Sequence, residues 1–161
     1  MNYMKQFDVF GIGNAVVDCV YLIDDSFLQE NNIDKGMMTL VDKLEQKKLI
    51  NKIKSNAFIQ SGGSVSNSIF VLSQLGGSAY LSFLVSDDEF GNIFIKDLKK
   101  NGVNTGNITY TTSEGDMTGS CLVFTTPDGE RTMITCLSIS SKFSKKNINY
   151  NDLKYGNYFY I

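Results

Sequence analysis

The sequence contains no histidine. Within these residues that absence excludes an imidazole general base, a Ser-His-Asp or Cys-His nucleophile pair, and a histidine-rich zinc site. Cysteine is scarce as well: Cys19, Cys121 and Cys136 are odd in number and never form a C-x-x-C pair. Neither a disulfide framework nor a zinc ribbon is supported, and a reducing, cytoplasmic compartment is the expectation. The formal net charge is only -2, which gives no basic field to hold a nucleic-acid backbone. No apolar run approaches the roughly 18 to 20 residues that span a bilayer, the longest being residues 68–75 and 79–85. Residues 1–8 lack the basic segment and apolar stretch of a signal peptide, so a soluble protein with no nucleic-acid or membrane partner is expected.

What is present is ordinary globular material: 161 residues, 42% hydrophobic, 20% charged and 12% aromatic, enough to bury the core of one domain or of part of a larger one. Residues 7–12 form a short apolar run ended by Gly13-Asn14 and predict a buried strand entering a turn. Residues 16–24 continue in β-branched and aromatic types as a second extended piece. Leu44, Leu49, Ile50 and Ile53, with lysines between them, predict a surface helix over 43–54, and 57–60 is a further strand candidate. After Gly62-Gly63, the spacing of Val65, Ile69, Leu72 and Leu75 predicts a helix over 64–75, stopped by Gly76-Gly77. Residues 79–85 predict one buried strand. Asp87-Asp88 then open a helix carrying Phe90, Ile93, Phe94 and Leu98, with Asn101-Gly102 as its stop.

That alternation of strand and helix is the pattern of a parallel α/β sheet. Residues 117–126 and 130–137, joined by Pro127-Asp128-Gly129, predict a β-hairpin inserted into it. The single proline sits in that turn, where its fixed φ helps and its missing N–H costs nothing. Residues 157–161 resemble the start of a buried strand without a covering helix, so the chain is expected to be the N-terminal part of a longer protein.

Four groups of residues have the chemistry of a site. Gly11-Ile12-Gly13-Asn14-Ala15-Val16 begins like a dinucleotide fingerprint, but Val16 stands where the third glycine belongs and a strand follows where a helix is needed. Asp18 lies inside an apolar strand run, where an unpaired carboxylate is costly. Either it points to water, or Asn14 and Asp18 together hold vicinal hydroxyls of a sugar. Gly62-Gly63-Ser64-Val65-Ser66-Asn67 allows close backbone approach and opens a helix whose free N–H groups accept ligand oxygens; Ser64 as a plain N-cap is the structural alternative. Arg131 is the only arginine among fifteen basic residues, and its planar fork of donors suits a phosphate, a surface strand charge being the alternative. Asp87-Asp88-Glu89 is acidic, but acidic residues opening a helix are capping and dipole chemistry, and no metal site is expected.

Taken in order, these segments resemble the PfkB/ribokinase family of carbohydrate and nucleoside kinases, in particular its adenosine-kinase-like branch. The carriers are Gly11-Ile12-Gly13-Asn14-Ala15-Val16-Val17-Asp18; Gly62-Gly63-Ser64-Val65-Ser66-Asn67 with Leu75-Gly76-Gly77; Val85-Ser86-Asp87-Asp88-Glu89-Phe90-Gly91; and Thr118-Gly119-Ser120-Cys121 with Pro127-Asp128-Gly129-Glu130-Arg131-Thr132-Met133. The resemblance implies a ribokinase-like doubly wound α/β sheet, here truncated, with a small β-sheet lid built from strands at about 16–24, 38–41, 57–60 and 117–137. It implies that Asn14, Asp18, Gly62, Gly63, Ser64 and Asn67 hold the sugar, that Arg131 approaches the transferred phosphate, and that Met38, Cys121, Met133 and Leu137 make an apolar seat for a purine. ATP and Mg2+ are the implied cofactors. The family's Gly-Ala-Gly-Asp segment, with its catalytic aspartate, has no counterpart in these residues, nor does most of the nucleotide site, so no catalytic residue is expected here and the chain alone is expected to be inactive. Ser86, Ile134, Ser138 and Ile139 depart from the family pattern and bear on substrate choice. The implied function is ATP-dependent phosphorylation of a sugar or nucleoside hydroxyl, an adenosine-like substrate preferred, by a monomer or a lid-mediated homodimer, this chain carrying the sugar-binding part and lid only. The alternatives are a kinase for a simple sugar such as ribose or fructose, and a noncatalytic sugar- or nucleoside-binding protein.

Overall fold

The structure, a computed structural model, describes residues 6–106, 109–111 and 115–161. The chain opens with β1 (Phe7–Ile12) and β2 (Val16–Leu22), separated by the Gly13-Asn14 bend. There follow α1 (Asp25–Glu30), β3 (Met38–Leu40), α2 (Lys43–Ile50), β4 (Phe58–Gly62) and α3 (Ser64–Gln74). Next come β5 (Ala79–Ser82), β6 (Leu84–Ser86), α4 (Glu89–Lys100), β7 (Thr109–Thr111), β8 (Gly119–Thr125) and β9 (Arg131–Cys136). Two 3-10 turns, Ser138–Lys142 and Lys145–Asn147, lead into α5 (Tyr150–Leu153) and β10 (Gly156–Tyr160).

The strands make a parallel three-stranded sheet in the order β10-β1-β5, a five-stranded sheet in the order β3-β9-β8-β2-β4, and the parallel pair β6-β7. Helices α3 and α4 bury Ile69, Phe94 and Leu98 against Leu81, Val85 and Phe83 in the largest core cluster. On the other face of β1 and β5, Phe10 stacks on Tyr80 with ring centroids 4.4 Å apart. Gly11 and Gly13 let α3 approach β1: an added Cβ would meet Ile69 at 2.9 Å and Val65 at 2.7 Å. The glycine pair that begins like a dinucleotide fingerprint therefore serves helix-to-strand packing.

Several expectations are corrected in detail. Residues 79–85 are two strands, because Ala79–Ser82 pairs with β1 whereas Leu84–Ser86 pairs with β7. The run stays apolar because both pieces are buried, so hydrophobicity conceals the change of partner. The surface helix ends at Ile50, and its inward residue is Gln46, 4% exposed, while Leu44 is 68% exposed. The Asp42–Glu45 capping box fixes where this helix starts and hence which side chains face in. Leu75 is 81% exposed, as the C-cap of α3 beyond the last buried turn. The strand expected to be buried at the C-terminal end forms at Gly156–Tyr160, but it is a sheet edge with exposed side chains.

Candidate functional site

Strand alternation sends Val16, Asp18 and Val20 to one face of the five-stranded sheet and Val17, Cys19 and Tyr21 to the other. The second face is covered by α1 and α2 through Leu28 and Leu49. The first carries Val16, Cys121, Val123, Val20, Met133 and Leu137 as an apolar cluster around the Asp18 position. Register places Asp18 beside Cys121 on β8 and opposite Gln60 on β4, and Met38 beside Met133. The expected purine-seat residues thus share the face of Asp18, with Met38 at its exposed rim.

Asp18 is half-buried, and no described residue donates a hydrogen bond to it. Burial pushes its carboxyl above the usual carboxylate value, while the charge of Arg131 pulls it the other way. Desolvation prevails. Gly62 lies directly against it, and a Cβ at Gly62 would collide with the Asp18 carboxylate. Gly63 adopts φ +95°, and a Cβ there would meet the Asn14 carbonyl at 2.6 Å. The two glycines are therefore fixed by different needs: the first by the side chain beside it, the second by its own backbone and by β1's exit turn.

Asn14 is exposed and shares with Ser64, Gly13 and Val65 a cleft of about 270 Å³. Asn67 does not line that cleft. It borders a neighbouring one of about 310 Å³ together with Gln60, Ser61, Ser66 and Asp97. The hydroxyls of Ser61 and Ser66 are buried there without a hydrogen-bond partner among the described residues. Ser66 lies within the 62–67 group but is not among the residues that the resemblance assigns to the sugar, and Ser61 is a further polar candidate that the sequence does not mark, since a serine beside a glycine pair looks like a turn residue. Ser64 provides no side-chain cap; Gly63 is the N-cap of α3. Arg131 is exposed at the start of β9, on the face of Met133 and within electrostatic reach of Asp18. Cys121 accepts a hydrogen bond from the Thr135 hydroxyl at 3.2 Å, and burial pushes its thiol up.

Asp88 is structural, as expected. It accepts from Gly91 N at 2.8 Å as the N-cap of α4, and from Thr118 N at 2.8 Å and Thr118 Oγ1 at 2.7 Å. Among the described residues no group of three or more Cys, Asp or Glu is placed to hold a metal ion. No helix among them is long and apolar enough to cross a membrane.

An α/β body beside a small sheet is the architecture of the ribokinase-like sugar and nucleoside kinases. The adenosine kinase of Sinorhizobium meliloti superposes with a TM-score of 0.86 at 32% identity, over 96% of this chain and 46% of that one. A probable sugar kinase of Rhizobium etli gives 0.87 at 30%, over 98% and 47%. The pfkB family carbohydrate kinase model matches residues 33–161, and the chain belongs to that family. Adenosine kinase 2 of Arabidopsis thaliana is 26% identical over 95% of this chain and 46% of its own length; probable fructokinase-5 of the same plant is 31% identical over 57% and 28%. The chain spans about half the length of these relatives or less.

Proposed function

We propose that this chain supplies the sugar-binding part and lid of an ATP-dependent kinase that phosphorylates a hydroxyl of a nucleoside, adenosine-like in preference to a simple sugar. The observation that carries the reading is Asp18: a half-buried carboxylate to which no described residue donates a hydrogen bond, set in an apolar face with Gly62 packed directly against it. Two vicinal ribose hydroxyls satisfy such a group, and Asn14 and the Gly62-Gly63 backbone complete the sugar's polar contacts. Cys121, Met133 and Leu137 offer a base the apolar surface that a simple sugar leaves empty.

Arg131, on the same face, is assigned to the transferred phosphate. ATP brings that phosphoryl group, and Mg2+ neutralises its charge. The chain spans about half the length of its kinase relatives, and most of the site for both is assigned to parts outside it, with no step derived through them. The fructokinase relatives favour a second reading, a kinase for fructose or ribose.

Calorimetric titration with adenosine, ribose and fructose separates the readings. Adenosine is expected to bind tightest, and Asp18→Ala to abolish the heat of binding. Equal affinity for ribose and adenosine overturns the purine seat. Binding of any of the three that survives Asp18→Ala overturns the site.

A further inference from the structure

Helix α2 lies against the closed face of the five-stranded sheet, and its one buried side chain is polar. Gln46 donates through Nε2 to the carbonyl of Ser120 on β8 at 3.1 Å and to the carbonyl of Ile134 on β9 at 3.2 Å. Its Oε1 accepts from the Ser120 hydroxyl at 2.7 Å. Both amide hydrogens and the amide oxygen are thereby engaged, and Ser120 is itself buried. A buried amide satisfied at every position is a costly choice for a site that leucine would fill, unless the bonds fix something. What they fix is the β8–β9 hairpin. The residues on either side of the Cys121–Thr135 pair are Ser120 and Leu122 on β8, and Ile134 and Cys136 on β9. Gln46 therefore grips both strands immediately behind the pair that faces Asp18.

We infer that Gln46 is a positioning residue: it locks the β8–β9 hairpin to α2 and so sets where Cys121, Met133 and Arg131 stand relative to Asp18. The inference rests on the open face being the ligand face, but its primary test does not. The three cysteines are almost equally buried, at 4–5% exposure. They differ in placement: Cys121 and Cys136 ride on the hairpin, whereas Cys19 belongs to β2.

Gln46→Ala takes the helix-side hydrogen bond from two ladder carbonyls and leaves the buried Ser120 hydroxyl without its acceptor, which favours local opening of the hairpin. Alkylation of each cysteine, followed by peptide mass spectrometry, reads that opening as the ratio of variant to wild-type rate. Cys121 and Cys136 are expected to label about tenfold faster, equivalent to roughly 1.4 kcal/mol, with Cys19 unchanged. Ser120→Ala, which removes one bond of the three and keeps the helix intact, is expected to give about threefold in the same two cysteines, equivalent to roughly 0.65 kcal/mol. A uniform rise in all three cysteines means general destabilisation and overturns the inference, as does no rise in any.

The second readout is the dissociation constant for adenosine or fructose. Selective labelling with a dissociation constant raised severalfold supports the positioning role; selective labelling with an unchanged constant overturns it. Wild-type protein that binds neither compound marks failure of the functional reading instead, and the labelling pattern then decides the hairpin lock alone.

Discussion

Asp18 holds its proton more tightly in the folded chain than in the unfolded one, because burial outweighs the pull of Arg131. The sign follows directly. Ionisation of Asp18 opposes folding at neutral pH, and that opposition fades as pH falls through the raised folded value and below 3.8. Asp18→Asn is therefore expected to raise the thermal midpoint at pH 7 and to match the wild type near pH 3.5, while losing ligand affinity; melting curves at the two pH values and a titration at pH 7 check both parts. A midpoint lowered at pH 7 would mean that the carboxylate has a folded-state donor. Stability given up for a ligand group is a usual signature of function.

Gly62→Ala tests the same pocket from the opposite side. The methyl must displace the Asp18 carboxylate, and binding is expected to fall at least tenfold, roughly 1.4 kcal/mol. For Arg131→Lys in the complete kinase, a fork of donors gives way to a point charge. If the residue meets developing charge on the phosphoryl group, kcat falls severalfold with a smaller change in KM. An unchanged kcat returns Arg131 to the surface.

At the scale of elements, the joint between α4 and β8 rests on one aspartate. Asp88→Ala removes the N-cap of α4 and both bonds to Thr118. Urea unfolding is expected to show a loss of about 2–3 kcal/mol, the sum of a cap and a part-buried hydrogen bond to a charged group. Asp88 also shows what the sequence makes legible. Helix starts announced by Asp or Gly, stops at Gly76 and Gly102, and the Pro127 hairpin depend on local backbone chemistry, so they can be read from a few neighbouring residues. Asp18 stood out because a charge in a β-branched run has no local justification.

The features that escaped depend on distant partners. The break at Phe83 is set by which strand lies alongside, and the inward turn of Gln46 by two carbonyls more than seventy residues away. The 3-10 turn after β9 begins at Ser138 with φ +45°, a conformation that serine does not advertise.

On the scale of the whole molecule, β10 pairs with β1 on one edge only and leaves Tyr158 74% and Ile161 79% exposed. An uncovered apolar edge recruits other strands. The 161-residue chain is expected to associate as its concentration rises in sedimentation velocity runs, and Tyr158→Lys to reduce that association. A monodisperse monomer with a sharp cooperative melt would favour the noncatalytic binding reading.

The five-stranded sheet also has a history built into its order. Its central seam pairs β2 with β8 in parallel, Val16 beside Gly119. The partner of the Asp18 strand thus lies roughly a hundred residues further along the chain, or about 5 to 20 seconds of ribosomal synthesis. During that interval the one strand partner available to β2 among the described residues is β4, its antiparallel neighbour at Phe58–Gly62. Such long-range closure slows folding, since the entropy of the intervening loop is lost before the contacts form. The face that bears Asp18 is thus completed only once β8 has been made.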